Sequence, residues 1–397
     1  MQKTRVVGFV FGGDSPESEV SVITMLQMKK FAEMSSWMQA KYFFWDKEGH
    51  DFWLIPNGKL AAEIFASGEH KKVSMRVEFG LFGDIFKASG IFRKKVCHVD
   101  AVVNCCHGGF GESGELAGLM KCLGIPFSTS NHTALGLSMD KHLFKCAVKT
   151  MGIKVPAWVH VTDRDFQTPE VWNSKLEKIK KIGDAWIVKP NDSGSSLGVT
   201  VARTEDEIEN AVKVAFEFSK SVIIEKLIEN KIEFNCGVVG RAGSVVVSEV
   251  DQIVSNSEMF SFEDKYIGER GVIEHKKNTT RVCGGAKKCA GMAAAKRLLP
   301  APISDDLKTK IQSTATRVFE GLGLSGIARV DFLFDAESQK LFVGEINAVP
   351  GSMGIYFFAG SKFDELMLLK KLVDDAEKEQ AECLKVKPEF VPKILKQ

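Results

Sequence analysis

Ala328-Arg329-Val330-Asp331-Phe332, followed by Glu345-Ile346-Asn347-Ala348-Val349-Pro350-Gly351, reads as two neighbouring strands with polar groups on one face of each. Residues i and i+2 of a strand share a face, so Arg329 and Asp331 point together, as do Glu345 and Asn347. If the strands pair, one surface presents two carboxylates and an amide oxygen beside a guanidinium. Hard oxygen donors grouped this way suit Mg²⁺, which commonly takes further oxygens from substrate phosphates. A surface salt-bridge ladder is the plainer reading of the same residues and stays open on these runs alone.

Two earlier stretches carry the same chemistry. Lys189-Pro190-Asn191-Asp192-Ser193-Gly194-Ser195-Ser196-Leu197-Gly198 places a lysine at a strand end before a small Gly/Ser loop. Such a loop lays N–H groups and hydroxyls around phosphate oxygens. It is not a Walker A loop, because the lysine precedes the glycines; a generic turn is the alternative. Glu225-Lys226-Leu227 ends an apolar strand, with Glu233 close behind. Strand-end main chain can meet a base edge and a carboxylate a ribose, although neither residue type demands it.

The remainder of the chain frames these pieces. Its 397 residues suggest two or three domains. Lys+Arg at 53 against Asp+Glu at 51 leaves a net charge of +2, which argues against broad contact with nucleic acid or an anionic membrane. An anionic ligand must therefore be held locally. Nine cysteines in mostly apolar contexts, with no paired CxxC spacing, read as buried thiols rather than a zinc site. No apolar run reaches the ~18 residues of a membrane span. With no export-like leader before Val6–Phe11, the expected location is the cytoplasm.

Strand and helix signals alternate over 1–130: strands at Val6–Phe11, Tyr42–Trp45, Val99–Asn104 and Ile125–Phe127, helices at Glu19–Phe31 and Glu115–Leu123. This order predicts a Rossmann-like parallel sheet with ligands at strand ends, where Gly12-Gly13 and His107-Gly108-Gly109 lie. Residues 131–219 read as a small α+β lobe. Residues 220–397 restart with Val222–Glu225, Glu233–Val239 and Ser244–Ser248 as adjacent strands, then a long irregular basic loop at 268–302, helix Asp306–Leu322, the strand pair and a charged tail. The basic stretch is either a solvated face or a functional loop.

Together these stretches resemble the D-alanine–D-alanine ligase family of the ATP-grasp superfamily. Phe11-Gly12-Gly13-Asp14-Ser15-Pro16-Glu17-Ser18 looks like its substrate loop and His107-Gly108-Gly109-Phe110-Gly111-Glu112-Ser113-Gly114 like its HGxxGExG element. Met139-Asp140-Lys141, Val188-Lys189-Pro190, Lys265-Tyr266 and the opening pair of runs follow in order. The resemblance implies an α/β ATP-grasp fold with α+β lobes, and ligation of two D-amino acids through an acyl phosphate. By the same resemblance Lys141, Lys189 and Ser196 contact phosphates, while Glu225, Lys226, Leu227 and Glu233 hold adenine and ribose. Asp331, Glu345 and Asn347 would bind two Mg²⁺, with Mn²⁺ as a substitute. Arg329 and the Gly351 N–H would stabilise transferring charge, Glu17 would receive the first ammonium, and Ser195 and Tyr266 would hold a loop shut. His107 lies where the family has a His near the first substrate, a structural His being the other reading. Small-molecule amino acids are the expected partners, and the family suggests a homodimer.

The chain departs from the family after Gly351, where Ser352-Met353-Gly354-Ile355-Tyr356 sets Tyr356 at the position of a serine that grips the second carboxylate. Either Tyr356 donates from a longer reach, or Ser352 takes over, or the second substrate is not D-alanine. The segment after Tyr266 is also longer than usual. A ligase with another acceptor and a catalytically dead nucleotide-binding homologue remain alternatives. A dinucleotide-dependent oxidoreductase is weaker, since no GxGxxG follows the first strand.

Overall fold

A computed structural model describes residues 4–48, 50–88, 94–254, 273–275, 278–279, 297–358 and 363–385. Its described residues form three sheets of seven, four and seven strands.

The first sheet grows from β1 (Arg5–Gly12), flanked in parallel by β2 (Met38–Trp45) and β7 (Ala101–Asn104). Alternate residues of β1 feed opposite cores. Val7, Phe9 and Phe11 pack with Met25 and Met28 of helix Ser18–Met34, while Val10 joins Phe43, Val99 and Val102 on the other face. Cover on both sides explains why β1 is apolar throughout. The parallel part ends there. Residues 46–98 add an antiparallel meander of β3 (Phe52–Ile55), β4 (Met75–Phe79), β5 (Asp84–Lys87) and β6 (Lys95–His98). The expected strand at Ile125–Phe127 is only an isolated bridge from Phe127 to Val102, because Pro126 has no N–H for a ladder.

The second sheet is antiparallel: β8 (Trp158–Thr162), β9 (Trp186–Pro190), β10 (Thr200–Ala202) and β11 (Ser221–Lys226). Here the structure differs from the expected run of adjacent strands after residue 220. β11 does not neighbour the next strand; it is inserted between β9 and β8. Val222, Ile223 and Ile224 are all fully buried, as a central strand with both faces covered requires. Val188 and Ile224 pack under helix Glu205–Phe216, so Lys189 and Glu225, one residue on, face the opposite way.

The third sheet carries β12 (Lys231–Arg241), β13 (Ser244–Ile253), β14 (Ile273–His275), β15 (Asn278–Thr279), β16 (Arg297–Leu298), β17 (Gly326–Asp335) and β18 (Lys340–Asn347). Helix Asp305–Gly321 packs Ile311, Ala315, Val318 and Phe319 against Phe234, Val330 and Phe332. The alternate residues Arg329 and Asp331 are left for the other face. Most of the basic stretch 275–297 lies outside the described residues. Its last member, Arg297, is neither solvated nor open to an anion: it is fully buried, 2.8 Å from Asp251, with its guanidinium 4.4 Å from the Tyr356 ring centre.

β17 begins where the third sheet meets the chain leaving the first. Ser130 Oγ donates to Ser325 O (2.9 Å) and accepts from the Ser325 N–H (3.0 Å). Gly326 follows at φ +82°, and a Cβ there would run into the Ser128 carbonyl. Gly326→Ala is expected to lower unfolding free energy by roughly 1–3 kcal/mol in urea denaturation. An unchanged midpoint would show that the junction relaxes freely.

Candidate active site

One cleft of about 210 Å³ opens between the second and third sheets and is closed at one end by the first. Its floor is set by the register of β17 and β18. Arg329 lies opposite Asn347 and Asp331 opposite Glu345, and the next pair is Phe332 with Val343. Gly344 is therefore an extra residue, a bulge that lets the polar pair and the apolar pair each keep a common face. Asp331 accepts from Arg329 Nε at 2.6 Å and from an Arg329 terminal nitrogen at 2.7 Å, and the Asn347 amide donates to it at 3.2 Å. Burial opposes the Arg329 charge, but Asp331 outweighs it and keeps the guanidinium firmly protonated. Asn235, beside Asp331 on β12, extends this polar row; with its amide turned, its nitrogen donates to Asp331 Oδ1 at 3.1 Å.

The second sheet and the helix Lys141–Thr150 supply cations. Lys189 Nζ lies 3.2 Å from Glu225 Oε2, and Lys141 Nζ donates to Ser193 O at 2.6 Å, bracing the glycine loop. Burial works against Lys189, yet Glu225 and Glu345 raise its pKa overall; burial lowers that of Lys141. Ser195 and Ser196 take left-handed backbone angles, φ +54° and +60°. Ser195 Oγ donates to Glu17 Oε1, so the loop touches the start of the first helix.

His107 lines the same end. Its Nδ1 faces the Val349 carbonyl at 2.9 Å and must donate, so Nε2 accepts from the Thr24 hydroxyl at 2.7 Å. Burial lowers its pKa and favours the neutral ring. The Thr24 oxygen also accepts the Ser352 N–H at 3.2 Å.

Most residues picked from sequence line this cleft: Glu17, His107, Lys141, Lys189, Ser195, Ser196, Glu225, Lys226, Leu227, Glu233, Arg329, Asp331, Glu345, Asn347 and Gly351. Tyr266 lies outside the described residues. Ser352 and Tyr356 are not among the lining residues; they are 3% and 1% exposed, and the Tyr356 hydroxyl is buried without a hydrogen-bond partner among the described residues. Ser352 and Met353 take φ +55° and +51°, and the chain coils into the core where a binding serine was expected. The N–H groups of Lys226 and Leu227 are already bonded to Ala157 O (2.8 Å) and Ala185 O (2.9 Å). A base edge must find its main-chain donor further on, and Ile228 is the next residue on the wall.

Sequence reasoning passed over several groups. Lys231 lines the wall and pairs with Glu233 at 2.8 Å. Lys145 lies under Glu225 at 3.4 Å; its signal was its place one turn after Lys141, on the stripe shared with Phe144 and Val148. Glu112 accepts from the Gly108 N–H at 3.0 Å and lines the cleft.

As a metal site, no three His, Cys, Asp or Glu side chains converge among the described residues. The donors fit Mg²⁺ only as Asp331 and Glu345 with the Asn347 oxygen, completed by ligand oxygens, which is how Mg²⁺ is commonly held at phosphates. No helix of the described residues is long and apolar enough to cross a membrane.

Comparison with known proteins agrees over most of the chain. A family model described as D-ala D-ala ligase N-terminus matches residues 6–130, and one described as D-ala D-ala ligase C-terminus matches 147–282 and 285–375. The D-alanine–D-alanine ligase of Sulfurovum sp. is 29% identical over 352 residues, covering 89% of each chain. That of Thermosipho africanus is 28% identical, covering 93% of this chain and 92% of its own. The solved D-alanine-D-alanine ligase from Coxiella burnetii superposes with TM-score 0.77 at 22% identity, covering 97% of each chain. The VanG D-Ala:D-Ser ligase from Enterococcus faecalis superposes at 0.76 and 23% identity, covering 94% of this chain and 100% of its own. At these identities the superpositions speak to the fold, an ATP-grasp architecture.

Burial, then the neighbouring Glu17, pushes the Glu112 pKa from 4.5 up to about 7. The folded protein thus holds that proton more tightly than the unfolded chain. The resulting stability is complete below pH about 4.5 and lost as pH rises through about 7. Glu112→Gln should remove this slope, so unfolding free energies taken at several pH values converge with wild type at low pH and exceed it above neutrality. Parallel profiles would refute the shift.

Proposed function

The chain belongs to the D-alanine–D-alanine ligase family, and from that premise we propose that it joins two D-alanines at the expense of ATP. The γ-phosphoryl group of ATP moves to the carboxylate of the first D-alanine, giving an acyl phosphate and ADP. The amine of the second attacks the acyl carbon, a proton leaves the nitrogen, and phosphate departs with the broken C–O bond. The observation that supports this most directly is the meeting of Glu17, the two lysines and the β17–β18 polar row in one cleft.

Each residue has a task that its position suits. Glu17 takes the first ammonium while Ser195, bonded to it, draws the glycine loop over the cleft and keeps water from the acyl phosphate. Lys141 and Lys189 hold phosphate oxygens, and Ser196 adds a hydroxyl. Glu225 and Glu233, with the main chain past Leu227, frame the nucleoside. Asp331, Glu345 and Asn347 would hold Mg²⁺, which supplies charge neutralisation across the phosphates. Arg329, with the Gly351 N–H, faces the oxyanion that forms as the amine adds. In this structure Arg329 occupies both Asp331 oxygens, so it and a cation compete for that carboxylate.

A second reading keeps the first half-reaction and changes the acceptor. The burial of Tyr356 and Ser352 away from the cleft favours it, since neither offers the hydroxyl that the family uses on the second carboxylate.

Incubation with ATP, Mg²⁺ and a mixture of D- and L-amino acids, followed by mass spectrometry, should yield D-alanyl-D-alanine. Turnover only with another acceptor would establish the second reading, and none at all would favour a binding role. Arg329→Ala should lower kcat roughly 10²–10³-fold. Unimpaired turnover would remove Arg329 from the chemistry.

A further inference from the structure

Beneath the cleft, one carboxylate is shared by two ammonium groups. Glu225 is 2% exposed; Lys145 reaches its Oε1 at 3.4 Å and Lys189 its Oε2 at 3.2 Å. The two lysines differ in freedom. The Lys189 side chain is 17% exposed and borders the cleft, whereas that of Lys145 is wholly buried and absent from the cleft wall. Lys145 is further pinned by the Gly344 carbonyl at 3.4 Å, the oxygen of the bulge residue in β18. Burial lowers the Lys145 pKa, and the Glu225 charge opposes that shift without cancelling it.

A carboxylate paired with one lysine in a dry site grips it strongly, and leaving either charge single is costly. Two lysines on one carboxylate leave one positive charge in excess. Only Lys189 can carry that excess to the cleft. We propose that Lys145 is a positioning residue: it is the resident counter-ion of Glu225, and by satisfying that carboxylate it releases Lys189 to bind the nucleotide's phosphates. Without Lys145, Glu225 would capture Lys189 in a neutral pair and hold it back from the phosphates. This inference rests on the ATP-dependent reading above and adds how that site keeps its phosphate-binding cation available.

Lys145→Met tests it, since methionine fills the same buried channel without charge. Dissociation constants of ADP and of adenosine, from titration calorimetry, separate the phosphate contribution from the base. The variant should bind ADP about 10–100-fold more weakly, the scale of a lost charge-assisted contact, with adenosine changed less than about twofold. KM for ATP should rise with the ADP constant, and kcat at saturating ATP should fall much less. In a Glu225→Gln background, which already carries any loss of nucleoside contact, adding Lys145→Met should leave the ADP constant within about twofold, because no carboxylate remains to retain Lys189. Equal losses for ADP and adenosine, or the same ADP loss in both backgrounds, would reduce Lys145 to a packing residue. An unchanged ADP constant in the single variant would also overturn the proposal. Wild-type protein that binds ADP but forms no dipeptide would defeat the ligase reading while leaving this one intact.

Discussion

The site depends on one irregularity in an antiparallel ladder, the extra residue Gly344 in β18. Strand alternation forces a choice between filling the core and facing the cleft, and a single frame must serve both sides of a sheet. On β17, Phe332 goes to the core and Asp331 to the cleft; on β18, Val343 goes to the core and Glu345 to the cleft. With Gly344 between them, Val343 and Glu345 would share a face in a regular strand; the bulge takes Gly344 out of register, so both pairings hold. The bulge also frees a carbonyl from the ladder, and that oxygen is the one Lys145 meets. One glycine thus joins the carboxylate row of the third sheet to the Lys145–Glu225–Lys189 cluster beneath the cleft.

What was legible in the sequence was local. The alternation in Ala328–Phe332 and Glu345–Asn347 gave a shared face without any knowledge of tertiary contacts. β1 announced itself by an unbroken apolar run, and Lys189 by its place before a glycine loop. These signals arise from one strand or one turn, so nothing distant can erase them. Harder to see was whatever depends on which strands become neighbours. β11 looked like the opening of the last sheet because it precedes β12, yet it belongs between β9 and β8. The short strands β3 to β6 have only four or five residues each, too few for a periodic signal.

The same logic holds where a residue's surroundings differ from what its place in the sequence suggests. Tyr356 was placed by counting from Pro350-Gly351, but three successive left-handed residues, Ser352, Met353 and Gly354, redirect the chain into the core. Leu227 was chosen as a strand end, although the ladder continues through its N–H to Ala185. Lys145 escaped attention because a lysine on a helix is normally read as solvated. Its burial is intelligible only once the Glu225 carboxylate is known to lie against it.

The core on one face of the first sheet has a consequence for the order in which the chain can assemble. Val7, Phe9 and Phe11 share that core with Val349, Met353, Leu368, Leu369 and Leu372, residues from the opposite end of the chain. During synthesis the amino-terminal strands emerge long before the helix Glu365–Lys385 that covers them. The first sheet therefore waits, one apolar face incompletely shielded, until the residues around 368–373 have been made. Late closure of this kind leaves an apolar surface open to misassembly while the chain is made, and it ties the core under the first sheet to contacts of high sequence separation.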